Sequence, residues 1–134
     1  MSRLLLVTNE ARERGSAAVE FALVLPLVLI LALALVQVGL LVKDGLVVQE
    51  AARAGARQAA VTNDDQSARQ AVLDAAASLD PARIEVSITR SEGAGSPVTV
   101  GVVYHAPVSV PLVSWLFRSP IDVSGKAIMR QETQ

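Results

Sequence analysis

Residues 14–35 read RGSAAVEFALVLPLVLILALAL, and the reading of this stretch decides the fold. It holds one acid, Glu20, at the mouth of a long apolar run. From Phe21 to Val42, 22 residues pass without a Lys, Arg, Asp, Glu or His. At 1.5 Å per residue a helix of that length covers about 33 Å, enough to cross a hydrocarbon core of about 30 Å. The run therefore reads as a membrane span. It is too long, and too apolar on every face, to be the core helix of a domain this small. Pro26 lies one turn inside, where membrane helices tolerate it. The competing reading is a secretory signal cut after Ala32-Leu33-Ala34. Such a cut would leave Leu35–Val42 as an apolar new end, and Glu10 and Glu13 do not suit the basic start of a signal peptide.

Working outward, the 134 residues suffice for one small domain plus an anchor. Hydrophobic residues make up 51% and aromatics only 3%, an Ala/Val/Leu richness that suits a membrane helix and a small sheet. The formal net charge of −1 lacks the basic excess of a nucleic-acid binder. With no cysteine there is neither a disulfide framework nor a thiolate metal site.

Beyond the span, residues 42–60 (VKDGLVVQEAARAGARQAA) are rich in helix formers. Small residues recur in steps of four at Ala51, Gly55 and Ala59, and again at Ala52, Ala56 and Ala60, each set on one helix face. The span is expected to continue as one stalk helix, with Gly45 a weak point and with Glu50, Arg53 and Arg57 on its polar side. Asn63 or Asp64 can cap a second helix over residues 65–79, with Val72, Leu73, Ala76 and Leu79 as its apolar face. Ile84, Val86 and Ile88 then alternate with polar residues, as do Val98, Val100, Val102 and Tyr104, and finally Ile121, Val123, Gly125, Ala127 and Met129. Period two of this kind predicts three half-buried strands, the first two joined as a hairpin by the turn at residues 93–97. The expected fold is α+β: a long N-terminal transmembrane and stalk helix, a second helix, and a small three-stranded antiparallel sheet. A sheet with one apolar face must cover it; the stalk's small residues at Ala51, Gly55 and Ala59 either form that lid or serve only to favour the helix, and the two readings weigh about equally. Trp115 and Phe117 suit either the membrane interface or the small core, and the core, short of aromatics, is the favoured place.

The run-in to the span carries a resemblance. Gly15 follows Arg12, Glu13 and Arg14 and precedes SAAVEFALVLPL, so that Glu20-Phe21 stands at a fixed step from the glycine. This resembles the prepilin peptidase site of type IV pilin-like proteins, above all the tight-adherence (Flp-type) group. The later QEAARAGARQAA is similar to the Ala-Arg-x-Gly-Ala-Arg segment of the TadE-like minor pilins of those systems. The resemblance covers residues 12–60. It implies a leader over residues 1–15, a span and stalk over 16–60, and a globular part over 61–134, which the short major pilin lacks. It also implies cleavage between Gly15 and Ser16 by a membrane aspartyl protease, and other pilin or pseudopilin subunits as partners.

Chemistry agrees with that implication. A glycine admits an extended backbone to a protease cleft at low steric cost. Lys and Arg near the two ends of the span are tied, Arg3, Arg12 and Arg14 against Lys43, Arg53 and Arg57. An inner-membrane protein with its N-terminus inside and its domain outside is thus what the resemblance implies. A carboxylate at the bilayer centre costs on the order of 2.5–3.5 kcal/mol, less at the edge. After cleavage the new ammonium of Ser16 on a neighbouring subunit could neutralise Glu20; the simpler reading is an acid at the positive end of a helix, snorkelling to the headgroups. His105 has no evident metal or nucleophile partner, and Ser109, Ser114 and Asp122 make no catalytic spacing. The sequence is expected to carry no enzyme, no metal or other cofactor, and no small-molecule substrate. The alternative to a processed pseudopilin is an unprocessed single-pass membrane-anchored binding domain.

Overall fold

The computed structural model describes residues 2–93 and 95–132, with side chains from Gly15 onward; the side chains of the leader arginines therefore lie outside the described residues. Helix α1 runs over Ser2–Val61 and α2 over Asp65–Ala75. After a single 3₁₀ turn at Pro81–Arg83 come strands β1 (Ile84–Arg90), β2 (Pro97–Ala106) and β3 (Ile121–Arg130). The sheet is antiparallel in the order β1-β2-β3, so the architecture is the α+β arrangement that the patterning predicts.

The two halves of α1 have opposite surroundings. None of its most apolar 18-residue window is buried by the rest of the chain. Val48, Ala51, Ala52, Ala56, Ala59 and Ala60, by contrast, are all buried. They pack with Val98, Val100, Val102 and Tyr104 of β2 and with Ala68 and Val72 of α2 in one core. Burying each of those valines contributes roughly 1.5–3 kcal/mol. Register puts Val100 between Ile88 and Ala127, and Val102 between Val86 and Gly125, so the inward residues of all three strands share one face.

Two glycines set how closely the layers meet. A Cβ on Gly55 would collide with Val72 Cγ2 and lie 3.2 Å from Val100 Cγ1, so this position joins α1, α2 and the sheet. A Cβ on Gly125 would come within 2.9 Å of the Val48 carbonyl oxygen, which fixes the approach of β3 to the α1 backbone.

Helix α2 is shorter than the pattern predicts. Asp64 is its cap, its carboxylate accepting from Gln66 N at 3.0 Å and Ser67 N at 3.1 Å, a contact worth about 1 kcal/mol. The helix ends at Ala75, one turn before Leu79. Leu79 N bonds to the Ala76 carbonyl, and the tighter turn carries the Leu79 side chain into the core.

Candidate functional site: the exposed half of helix α1

The N-terminal approach to the span is helical through the Gly15–Ser16 bond. A Cβ on Gly15 would meet nothing within 4 Å, so packing within the chain does not require a glycine there. An alanine would favour the helix by about 1 kcal/mol. Gly39, in the span, is open in the same way. Ser16 and Glu20 lie one turn apart on one face, and the Ser16 hydroxyl donates to Glu20 Oε1 at 3.3 Å. Phe21 is 66% exposed, at the head of a row of exposed apolar residues that includes Leu23, Leu27 and Leu31.

Gln37 has a role that its sequence context does not disclose. It is the one buried polar side chain among the described residues. Its Oε1 accepts from Ser109 N at 3.2 Å and from Val110 N at 3.1 Å. The β2–β3 connection is thereby fastened to the apolar half of α1. Trp115 is carried to the same surface, which corrects the expectation that it packs in the core. It is 73% exposed, and its indole N–H donates to the Leu112 carbonyl at 2.8 Å. The core is filled instead by the alanine and valine faces of α1 and β2, leaving no room for an indole. With Leu112 it forms one wall of an open groove of about 390 Å³, whose other wall is Pro26, Leu29, Ile30 and Leu33. Phe117 is half-buried.

Ala51 and Ala59 lie buried on the domain half of α1, on either side of Gly55. Arg90, at the end of β1, closes the far end of the helix. Its guanidinium donates to the Ala59 carbonyl at 2.7 Å, the Thr62 carbonyl at 3.1 Å and Asp65 at 2.9 Å. A cation there meets the negative end of the helix dipole and its unpaired carbonyls. Nothing local in the sequence marks Arg90, because its partners are 25 to 31 residues away.

The outer sheet face holds the chain's one histidine. His105 Nδ1 lies 2.6 Å from Asp122 Oδ1, its register partner, and Nε2 lies 3.1 Å from Glu85 Oε1. These hydrogen bonds raise the imidazole above its ordinary pKa of 6.5, Asp122 having the larger effect. The ring nitrogens meet carboxylates rather than a hydroxyl, which is not a nucleophile–base pair. Among the described residues no cluster of His, Cys, Asp or Glu is suited to holding a metal ion.

A family model, TadE-like protein, matches residues 15–57. The match opens at Gly15 and ends at Arg57, and it takes in Ser16, Glu20, Phe21, Ala51 and Gly55. That family is pilin-like and structural rather than enzymatic. No curated protein and no solved structure matches the chain. The match covers about a third of the chain, on the one helix among the described residues that is long and apolar enough to cross a membrane.

Proposed function

We propose that this chain is a pseudopilin, a minor pilin-like subunit of a tight-adherence type IV pilus. In this reading a prepilin peptidase removes residues 1–15, and Ser16 becomes the new N-terminus. The apolar half of α1 holds the protein in the cytoplasmic membrane with its N-terminus inside. The globular part stands outside and meets other pilin or pseudopilin subunits during assembly.

The observation that carries the reading is Gly15. The fold has no packing use for it, it costs helix stability, and it stands five residues before an exposed acid on an unburied apolar helix. Gly39 is open in the same way, so what singles out Gly15 is its place, after Arg12, Glu13 and Arg14 and five residues before Glu20. A protease binds its substrate extended, so the helix must open at Gly15–Ser16, and glycine lowers the cost of opening. The unbroken helix across that bond favours the second reading, an unprocessed membrane-anchored binding domain.

Co-expression with a prepilin peptidase and intact-mass analysis separates the two. The wild type should lose residues 1–15, and Gly15→Leu should keep them while still entering the membrane. An identical mass shift in both chains would remove the assigned site, and no shift in either would favour the unprocessed domain.

A further inference from the structure

Two occupants have a claim on one face of α1. The charge-free run over residues 21–42 is about 33 Å of helix, and Gln37 lies about 8 Å inside its domain-side end. Yet Gln37 is already covered by the β2–β3 connection, residues 107–120, whose Ser109 N and Val110 N both donate to its Oε1. Leu112 and Trp115 reach further, facing Pro26, Leu29, Ile30 and Leu33 across the open groove. Counted from Val42, those four positions lie about 14–24 Å into the run, astride its middle. In a helix that spans a membrane, this is the depth of the acyl chains.

The connection is not made for that depth. Irregular backbone is not found exposed to lipid, because its polar groups need partners that hydrocarbon lacks. The N–H groups of Ser109, Val110 and Leu116 are bonded, but those of Val108, Leu112, Ser114 and Trp115 have no partner within the chain. Arg118 adds a charge. Water satisfies such groups and acyl chains do not. The docked connection therefore suits a helix out of lipid, and residues 26–37 of α1 serve one occupant at a time.

The hold on α1 is light enough to exchange. Gln37 supplies the only hydrogen bonds from α1 to the connection among the described residues. Leu112 and Trp115 stay 70% and 73% exposed in the groove they wall. Leu112 also holds a φ of 65°, a left-handed conformation costly for leucine, so the docked form carries strain that release would relieve. Val110 and Val113 are buried, but the domain core of α1, α2 and the sheet does not include them. The connection can therefore leave α1 without unpacking the domain.

We infer that the β2–β3 connection is a strap that exchanges with lipid on α1. It lies along residues 26–37 when the helix is out of the bilayer, and it lifts toward the membrane surface when the helix is in it. Gln37 is the positioning residue that latches the strap. The inference rests on α1 spanning a membrane, as proposed above, but not on cleavage at Gly15. A chain drawn out of lipid into an assembly thus covers part of its own apolar face, and that cover is absent while the chain is in the bilayer.

Trp115 is the chain's one tryptophan and there is no cysteine, so one introduced cysteine can carry a nitroxide, which quenches an indole only at short range. The full-length protein would carry that label at Leu29→Cys, an exposed position on the groove. One sample is reconstituted in vesicles of phosphatidylcholine and phosphatidylglycerol. The other adds Leu27→Lys, Leu31→Lys and Leu35→Lys, exposed positions on the far side of α1 from the groove, and is measured in buffer without lipid. Trp115 should be strongly quenched in buffer. In vesicles, where the label lies about 20 Å from the domain-side end of the run, quenching should be several-fold weaker. Adding Gln37→Leu should remove most of the quenching in buffer and leave the vesicle value unchanged. Equal quenching in the two settings would overturn the inference: if strong, the strap stays docked in lipid, and if weak, it does not dock on α1. The vesicle sample also decides alone, because strong quenching there that falls with Gln37→Leu would overturn the inference whether or not the lysine variant folds. A wild type that does not float with the vesicles would overturn both this inference and the anchor, whereas a chain that floats without the exchange would leave the anchor standing.

Discussion

At the scale of the residue, the glycines of α1 separate two kinds of constraint. A Cβ on Gly55 would collide with Val72, whereas one on Gly15 would meet open space. The first glycine is explained inside the chain and the second is not. His105 is explained by its neighbours, and its charge state makes the sheet sensitive to pH. Asp122 and Glu85 favour the imidazolium, so the folded pKa lies above the ordinary 6.5. A group whose pKa rises on folding stabilises the fold fully below its unfolded pKa, and that contribution fades as pH passes through the folded value. Wild type should therefore melt above His105→Gln at pH 6, and the gap should narrow on the alkaline side of the raised pKa. Calorimetry of the two proteins across that range tests this; a gap that widens with pH would mean that neutral His105 is the stabilising form.

At the scale of the element, what could be read from the sequence was what repeats locally. Ile84, Val86 and Ile88, then Val98 to Tyr104, then Val123 to Met129 alternate with polar residues, and all three segments are strands. The span is legible for the same reason, since one composition persists for 22 residues. Gln37, Arg90 and Trp115 are not legible in this way. Gln37 bonds across 72 and 73 residues of sequence, and Arg90 across as many as 31. Trp115 has the chemistry of a core residue and is excluded only because small side chains already fill the core. Where α1 leaves the membrane it becomes part of that core, which yields a test on fragments. Residues 61–134 alone would expose Val98, Val100 and Val102, lose Val48 and the buried alanines of α1, and leave Arg90 without the Ala59 carbonyl. At roughly 1.5–3 kcal/mol per valine, the loss rivals the whole stability of a small domain, about 5–15 kcal/mol. Residues 44–134 should show a cooperative melt by circular dichroism, and residues 61–134 a far lower one or none. Equal melting temperatures would mean that the sheet does not depend on the stalk.

At the scale of the whole molecule, one helix joins a folded domain to a surface that the domain leaves bare. The described residues of that bare half carry a single acid, Glu20, and its use depends on what surrounds it. Within one chain, Ser16 and Glu20 already share a face, with the hydroxyl 3.3 Å from the carboxylate. Cleavage at Gly15 would place an ammonium on Ser16 as well. That cation can be answered by Glu20 of the same helix, or by Glu20 of a neighbour as helices gather. Only the second arrangement makes the acid a register device, because an unpaired charge among apolar helices costs several kcal/mol. The two arrangements differ in one result. Glu20→Ala should leave cleavage intact and membrane insertion equal or better, since a desolvated carboxylate has gone. If the pair forms between subunits, crosslinking of the cleaved chain to co-expressed pilin subunits should fall. If the pair closes within one helix, or if Glu20 merely reaches to the headgroups, crosslinking should match the wild type. The comparison has to be made at equal abundance and equal processing, because a slower cut would also lower assembly. Undiminished crosslinking under those conditions would leave Glu20 as a helix-end charge and transfer the burden of register to the shape of the apolar face itself.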